Sequence, residues 1–220
     1  MLRRVAEIAD ARGVEELWLW EDCFDQGAIA SAACALAWTE RLRVGIGLLP
    51  VPLRNPVLTA MEIATLERTF PHRVHVALGH GMSGWMRQAG SLVRSPMTLL
   101  REYTQAVRSM LDGEEVTTSG RYLQLQNARL TWPPSDRFPL HLGAIGPKTI
   151  ALAGELADGI VLTAGTTPAG VRQTRNLYSS ARGDRAGRIT VYLMTITGTD
   201  ARPRFEAEAR AFGLDSSADV

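Results

Sequence analysis

Six short apolar runs punctuate the chain: Leu17–Trp20, Val44–Leu49, Val74–Leu78, Leu140–Leu142, Ile160–Leu162 and Ile189–Ile196. Most are followed by an amphipathic stretch. Strands that alternate with helices predict a parallel sheet, because parallel neighbours need a helical crossover to reverse direction. Runs without alternation, such as Leu17-Trp18-Leu19-Trp20, predict strands covered on both faces. The pattern opens inside a helix and stops after one. Read as a (β/α)8 barrel, it lacks one strand at each end. No composition shift marks a boundary, so residues 1–220 are expected to form one α/β domain.

Composition narrows the function classes. At 45% hydrophobic and 21% charged residues the chain is globular rather than disordered. A net charge of +1 with scattered basic residues gives no electrostatic reason to expect nucleic acid or an anionic membrane as partner. The most apolar window, Ala28–Trp38, is too short to span a bilayer. Two cysteines, Cys23 and Cys34, cannot build a disulfide framework or a cysteine-rich zinc site. A cytoplasmic protein is the expectation.

The chain is expected to run as follows. A helix over Leu2–Arg12, with Leu2, Val5, Ala6, Ile8 and Ala9 on one face, ends at Gly13. After the first strand and a polar turn comes an alanine-rich helix, Ala28–Thr39. Pro50, Pro52 and Pro56 stop the second strand, and Asn55 caps the next helix with Pro56 at its first position. Gly79–Pro96 reads as the longest irregular stretch, and loops this long inside a domain are usually functional. A helix at Met97–Leu111 and a hairpin at Val116–Leu125, turning at Ser119-Gly120, follow. Helices at Pro147–Leu156, Pro168–Ala181 and Ala201–Phe212 trail the last three strands.

Gly143-Ala144-Ile145-Gly146-Pro147-Lys148 joins a strand to a helix start. Unpaired amides there can bind phosphate, with Lys148 adding charge; an ordinary tight turn is the alternative. Gly79-His80-Gly81-Met82-Ser83-Gly84 matches G-x-G-x-x-G, but its context fails. A dinucleotide site needs a helix opening there and an acid at a second strand end, whereas Glu102 falls within a helix. Close approach of the Gly79 and Gly81 backbone to some other ligand remains open. Glu21-Asp22-Cys23 ends a strand, where barrel enzymes place chemistry, and reads either as a proton-transfer pair or as a helix-capping turn. His72, His75, His80 and His141 lack metal-ligand spacing.

Together these segments resemble the luciferase-like flavin-dependent oxidoreductases, especially their deazaflavin-using branch. The likeness is carried by Glu16–Phe24, Thr39–Gly47, Leu53–Pro56, Arg73–Gly81, Gly120–Tyr122, Gly143–Lys148 and Leu156–Gly159. It implies a (β/α)8 barrel with FMN or coenzyme F420 across its C-terminal mouth. It places Gly47-Leu48 against the cofactor ring, often through a non-prolyl cis bond, His80 and Gly81 in contact with the cofactor, and its phosphate on Gly143, Ala144, Ile145, Gly146, Pro147 and Lys148. In sugar-phosphate dehydrogenases of this family histidine aligns with Cys23 and glutamate with Met82, which implies a different substrate and leaves the catalytic group unassigned.

The function expected is an oxidoreductase, monooxygenase-like, acting on a small organic substrate by hydride transfer or oxygen activation. The alternative is a non-catalytic flavin-binding protein or an inactive fragment. Asp22, Cys23, Trp85 and Arg87 are the expected substrate-side residues. By family order strands one and eight are absent, and they would be neighbours. A gap between the first run and the last leaves three outcomes: marginal stability, a homodimer through the gap, or membership of a longer protein.

Overall fold

A computed structural model describes residues 1–193, 195–196 and 198–211. Met194 of the sixth apolar run and Phe212 of the last expected helix lie outside the described residues. The first half of the chain comprises α1 (Leu2–Ala11), β1 (Glu16–Leu19), α2 (Ala28–Ala37), β2 (Arg43–Pro50), α3 (Pro56–Thr69), β3 (Val74–Gly79), α4 (Ser83–Gln88) and α5 (Pro96–Leu111). A hairpin of β4 (Val116–Ser119) and β5 (Gln124–Ala128) leads to β6 (Leu140–Gly143) and α6 (Pro147–Leu156). The rest is β7 (Gly159–Leu162), α7 (Pro168–Arg182), β8 (Arg188–Val191) and α8 (Ala201–Ala211).

Six strands form one curled parallel sheet in the order β1-β2-β3-β6-β7-β8. Among the described residues no backbone pairing joins β1 to β8, so the sheet is a half-barrel with two open edges. The hairpin is a separate two-stranded excursion, as its sequence suggests. Glu102 on α5 holds it by accepting the amide protons of Arg121, Tyr122 and Leu123.

The central strands are buried on both faces, as expected, but the two faces differ in their residues. Val44, Ile46, Val74, Val76, Leu78, Leu140, Leu142, Ile160 and Leu162 point outward and form the core under the helices. The opposite face, lining the lumen, carries Trp18, Gly45, Gly47, His75, Gly79, His141, Gly143 and Gly159. Each of these glycines makes room for one large neighbour. A Cβ at Gly45 would meet Trp18, at Gly47 the Tyr192 hydroxyl, at Gly79 or Gly143 the Leu48 side chain, and at Gly159 the His141 ring. Trp18, His75 and His141 pack with ring centroids 5.5–6.0 Å apart, so the lumen is filled from within.

Side chains bridge the open edges. Arg188 on β8 donates to both carboxylate oxygens of Glu16 on β1 at 2.7 Å, and the Tyr192 hydroxyl donates to the Gly47 carbonyl at 2.9 Å. At the edge the coverage is thinner than the sequence suggests. On α1 only Ala6 is fully buried, while Val5 and Ile8 are 44% and 51% exposed, because α1 flanks an edge strand. Strand β8 ends at Val191, short of the expected Ile196.

Candidate functional site at the strand ends

All six strands run in one direction, so their C-terminal ends gather Trp20–Cys23, Gly47–Pro50, Gly79–Gly81 and Gly143–Gly146 on one rim. In parallel barrels this rim is where ligands meet residues from several strands.

The strongest local feature is the start of α6. Gly146 is its N-cap and Pro147 its first residue. The amide of Ala144 is spent on the Val161 carbonyl, prolonging the sheet, which corrects the reading of this whole turn as unpaired. Thr149 and Ile150 donate to Gly146. Among the described residues the amides of Ile145, Gly146 and Lys148 are left without an intramolecular partner. A Cβ at Gly146 would face open space, and Ile145 and Lys148 are exposed. Three free amides at a helix start, with an exposed lysine one residue into the helix, are a donor set suited to phosphate. Gly143 belongs to a different requirement, since its missing side chain is filled by Leu48.

Leu48 is re-aimed by a bulge. Pairing with β3 passes from Gly47↔Ala77 to Leu49↔Leu78, so Leu48 is the extra residue and turns into the lumen between Gly79 and Gly143. The peptide bond Gly47-Leu48 is cis, as the family resemblance implies. Pro50 and Met86 close on Gly81, whose φ of +68° favours glycine.

His80 links the ends of β3 and α6. Its Nε2 lies 3.2 Å from the Thr149 hydroxyl, which donates onward to the Met97 sulfur at 3.4 Å. That chain assigns the proton to Nε2 and leaves Nδ1 a buried acceptor without a partner. Burial pushes the ring below its usual pKa, so it is neutral at pH 7. A ring lowered in this way adds no lasting positive charge to a phosphate site.

The long segment after β3 is not irregular throughout, because α4 occupies Ser83–Gln88. Met86 is buried beneath it, Trp85 is half-buried and Arg87 exposed. A helix does open after the G-x-G-x-x-G pattern, but it is six residues long, and Glu102 is committed to the hairpin amides. No dinucleotide site is built there.

Glu21 takes the capping role: it accepts the Ala28 amide at 3.1 Å and pairs with Arg54 at 3.2 Å, while Arg54 also binds Glu62. Asp22 is freer. Burial pushes its carboxyl up, the Trp20 indole opposes this, and the charge of Asp25 adds to it. Burial and the carboxylates of Glu21 and Asp22 raise the Cys23 thiol, which stays protonated and weakly nucleophilic. Among the described residues no His, Cys, Asp and Glu cluster could hold a metal. His75 and His141 lie in the lumen, and His72 on the surface.

The sequence places Trp18 in a strand and shows His75 and His141 without metal-ligand spacing, but it does not show that they fill the lumen, and it singles out neither Tyr192 nor the His80 partner Thr149. The signal was there for Trp18, His141 and Tyr192: each faces a glycine on another strand, but that pairing is visible only once the register is known.

The fold has counterparts. A 5,10-methylenetetrahydromethanopterin reductase of Methanolobus tindarius is 30% identical over 160 residues, covering 72% of this chain and 48% of that protein. An F420-dependent glucose-6-phosphate dehydrogenase of Nakamurella multipartita is 31% identical over 141 residues, 60% of this chain and 40% of that protein. The chain thus spans about half the length of the curated relatives it matches. The crystal structure of the monooxygenase RslO1 from Streptomyces bottropensis superposes with a TM-score of 0.83 at 22% identity, over 99% of this chain and 72% of that one. The family model for luciferase-like monooxygenases matches residues 1–216, with the half-barrel, the cis Gly47-Leu48 bond and the α6 turn inside that span. The chain belongs to the luciferase-like monooxygenase family.

Proposed function

We propose that this chain binds FMN or coenzyme F420 across the rim and serves as an oxidoreductase on a small organic substrate. The observation that carries the reading is the α6 start, where three amides lack partners among the described residues, Gly146 borders open space, Lys148 is exposed and His80 reaches Thr149 in the first turn. The deazaflavin form is favoured by the curated relative named for F420. When bound, the cofactor supplies the hydride or oxygen chemistry, and the protein supplies binding, orientation and exclusion of water.

In this reading Ile145, Gly146 and Lys148 take the phosphate, Leu48 supports the ring, and Gly81 lets the backbone approach it. His80 borders the cofactor and holds the first turn of α6 through Thr149. Asp22, Cys23, Trp85 and Arg87 line the substrate side, where Arg87 could pair with an anionic group. Two free cysteines fit a cytoplasmic setting, and no helix among the described residues is long and apolar enough to cross a membrane.

A second reading, cofactor binding without turnover, is favoured by the protonated Cys23 thiol at the position of a dehydrogenase histidine. Absorbance titration with each cofactor tests the first step: a perturbed flavin or deazaflavin band supports the site, and unchanged spectra with both would refute it. Turnover with a reductant, or its absence, separates the two readings.

A further inference from the structure

The cofactor residues named so far come from β2, β3 and β6, on one side of the mouth. The other side borders the gap between β1 and β8, where no strand among the described residues closes the sheet. Two aromatic side chains stand there. Trp20, just past β1 and 47% exposed, lies with its ring centroid 6.3 Å from that of Tyr192, just past β8, at an interplanar angle of 50°. Beneath them Trp18 meets the Tyr192 ring edge-on at 6.2 Å. Tyr192 is fixed at both ends of the residue: its amide donates to the Leu162 carbonyl at 3.1 Å and its hydroxyl to the Gly47 carbonyl at 2.9 Å. Only glycine at position 47 permits that approach. The hydroxyl thus ends at the residue preceding Leu48, the bulge residue that supports the ring in the proposed site.

We propose that Trp20 and Tyr192 form the gap-side wall of the cofactor ring site, Trp20 as the stacking face and Tyr192 as the residue that positions both Trp20 and the Gly47 carbonyl. This rests on the flavin-site reading and adds to it the part of the pocket that a half-barrel must improvise. The chemistry that suits such a wall is a flat, polarisable, tricyclic ring. An exposed indole offers such a ring a large face, and offset or tilted aromatic packing is favoured over a loose apolar fit. A hydroxyl anchored on a backbone carbonyl keeps the tyrosine ring from swinging into the space the ligand ring would take. Burial raises the hydroxyl far above its usual pKa, so it remains a donor at any working pH.

The test uses the full chain with FMN and coenzyme F420, following affinity and the fluorescence of the bound ring. An indole in contact with a photoexcited flavin lends it an electron and takes it back, which darkens the emission. Trp20→Leu, at a half-exposed position, should keep the melting temperature, weaken whichever cofactor binds by roughly tenfold and brighten the bound ring severalfold. Tyr192→Phe should weaken it a few fold, and Tyr192→Ala more. Bound cofactor as dim and as tight in Trp20→Leu as in the wild type would overturn the wall. So would tighter binding in Tyr192→Ala, which would mean that the tyrosine occupies the ring's own place. Failure of the wild type to bind either cofactor would instead remove the flavin-site reading, and binding weakened by Gly146→Val alone would keep that reading and remove the wall.

Discussion

At the residue scale the lumen is a set of glycine and large-residue pairs, and it is intolerant of added volume. An alanine at Gly159 would drive its Cβ into the His141 ring, with the Arg188 carbonyl only 3.1 Å away. Gly159→Ala should therefore lower stability by about 2 kcal/mol, measured by denaturant unfolding, and a neutral result would show that His141 can move aside. His141 also gives the fold an acid limit. It is 2% exposed, and burial, with His75, Arg188, Asp158 and Glu16 around it, sets its pKa at about 4. The unfolded chain takes up a proton near 6.5, so it holds more protons than the native state between those values. Stability should be full above pH 6.5 and fall as pH drops toward 4, by on the order of 3 kcal/mol from this group. His141→Gln should remove that slope; an unchanged pH profile would exclude His141 as its source.

Why was this layer hidden while others were plain? A glycine near a strand end reads equally well as a ligand approach or as room for a neighbour. Gly143 and Gly146 sit three residues apart in the same turn, yet only Gly146 faces open space. Deciding between them requires the bulge at Leu48, which no local pattern announces.

Elements whose causes are local were the legible ones. Asn55 accepts the Val57 amide at 2.9 Å and Pro56 opens α3; Pro147 opens α6 and Gly113 ends α5 with φ +81°. The short α4 was missed because six residues carry too little periodicity to show a face. The apolar face of α1 is half covered, with Leu2, Ala6 and Ala9 on the core and Val5 and Ile8 exposed, and its periodicity cannot show this because a helix looks the same beside an edge strand as beside a central one. On α4, buried Met86 anchors the element while Trp85 and Arg87 remain on its free sides. Trp85→Ala and Arg87→Ala should alter substrate handling and leave cofactor affinity within a few fold. Steady-state kinetics beside cofactor titration checks this, and loss of cofactor alone would move α4 into the cofactor site.

For the whole molecule, the strand count and the open gap were readable from the alternation of runs, and the half-barrel agrees with both. Its means of holding together was not. Glu16 gathers Arg188, the Trp18 indole N–H at 3.0 Å and His75 at 3.6 Å; burial opposes its charge, but these partners bring its pKa down to about 2. Breaking the bridge takes from a mostly buried carboxylate its bidentate partner and leaves it Arg43 at 3.4 Å and the Trp18 indole. Arg188→Met should cost about 2 kcal/mol, less than a fully buried pair because Arg188 is partly in solvent. At this chain length that is roughly a 5 °C drop in melting temperature. The unpaired edges of β1 and β8, with half-exposed Val5 and Ile8 beside them, also favour self-association. Light scattering across concentration should show a dimer that Arg188→Met shifts; a monomer at every concentration would mean that the side-chain bridge suffices.

The central claim is that the Gly146–Lys148 turn holds a cofactor phosphate. Valine at position 146 has the required φ of −88° and meets no neighbour, so it should leave the fold intact while filling the space before the amides. The decisive measurement is the affinity ratio between each cofactor and its phosphate-free form, riboflavin for FMN and the ribityl deazaflavin for F420. In the wild type the phosphate-bearing form of one pair should bind at least about tenfold tighter, from several amide contacts and the helix dipole together. In Gly146→Val that ratio should fall toward one with an unchanged melting temperature. A ratio near one in the wild type, or a large ratio that survives the substitution, would contradict the account.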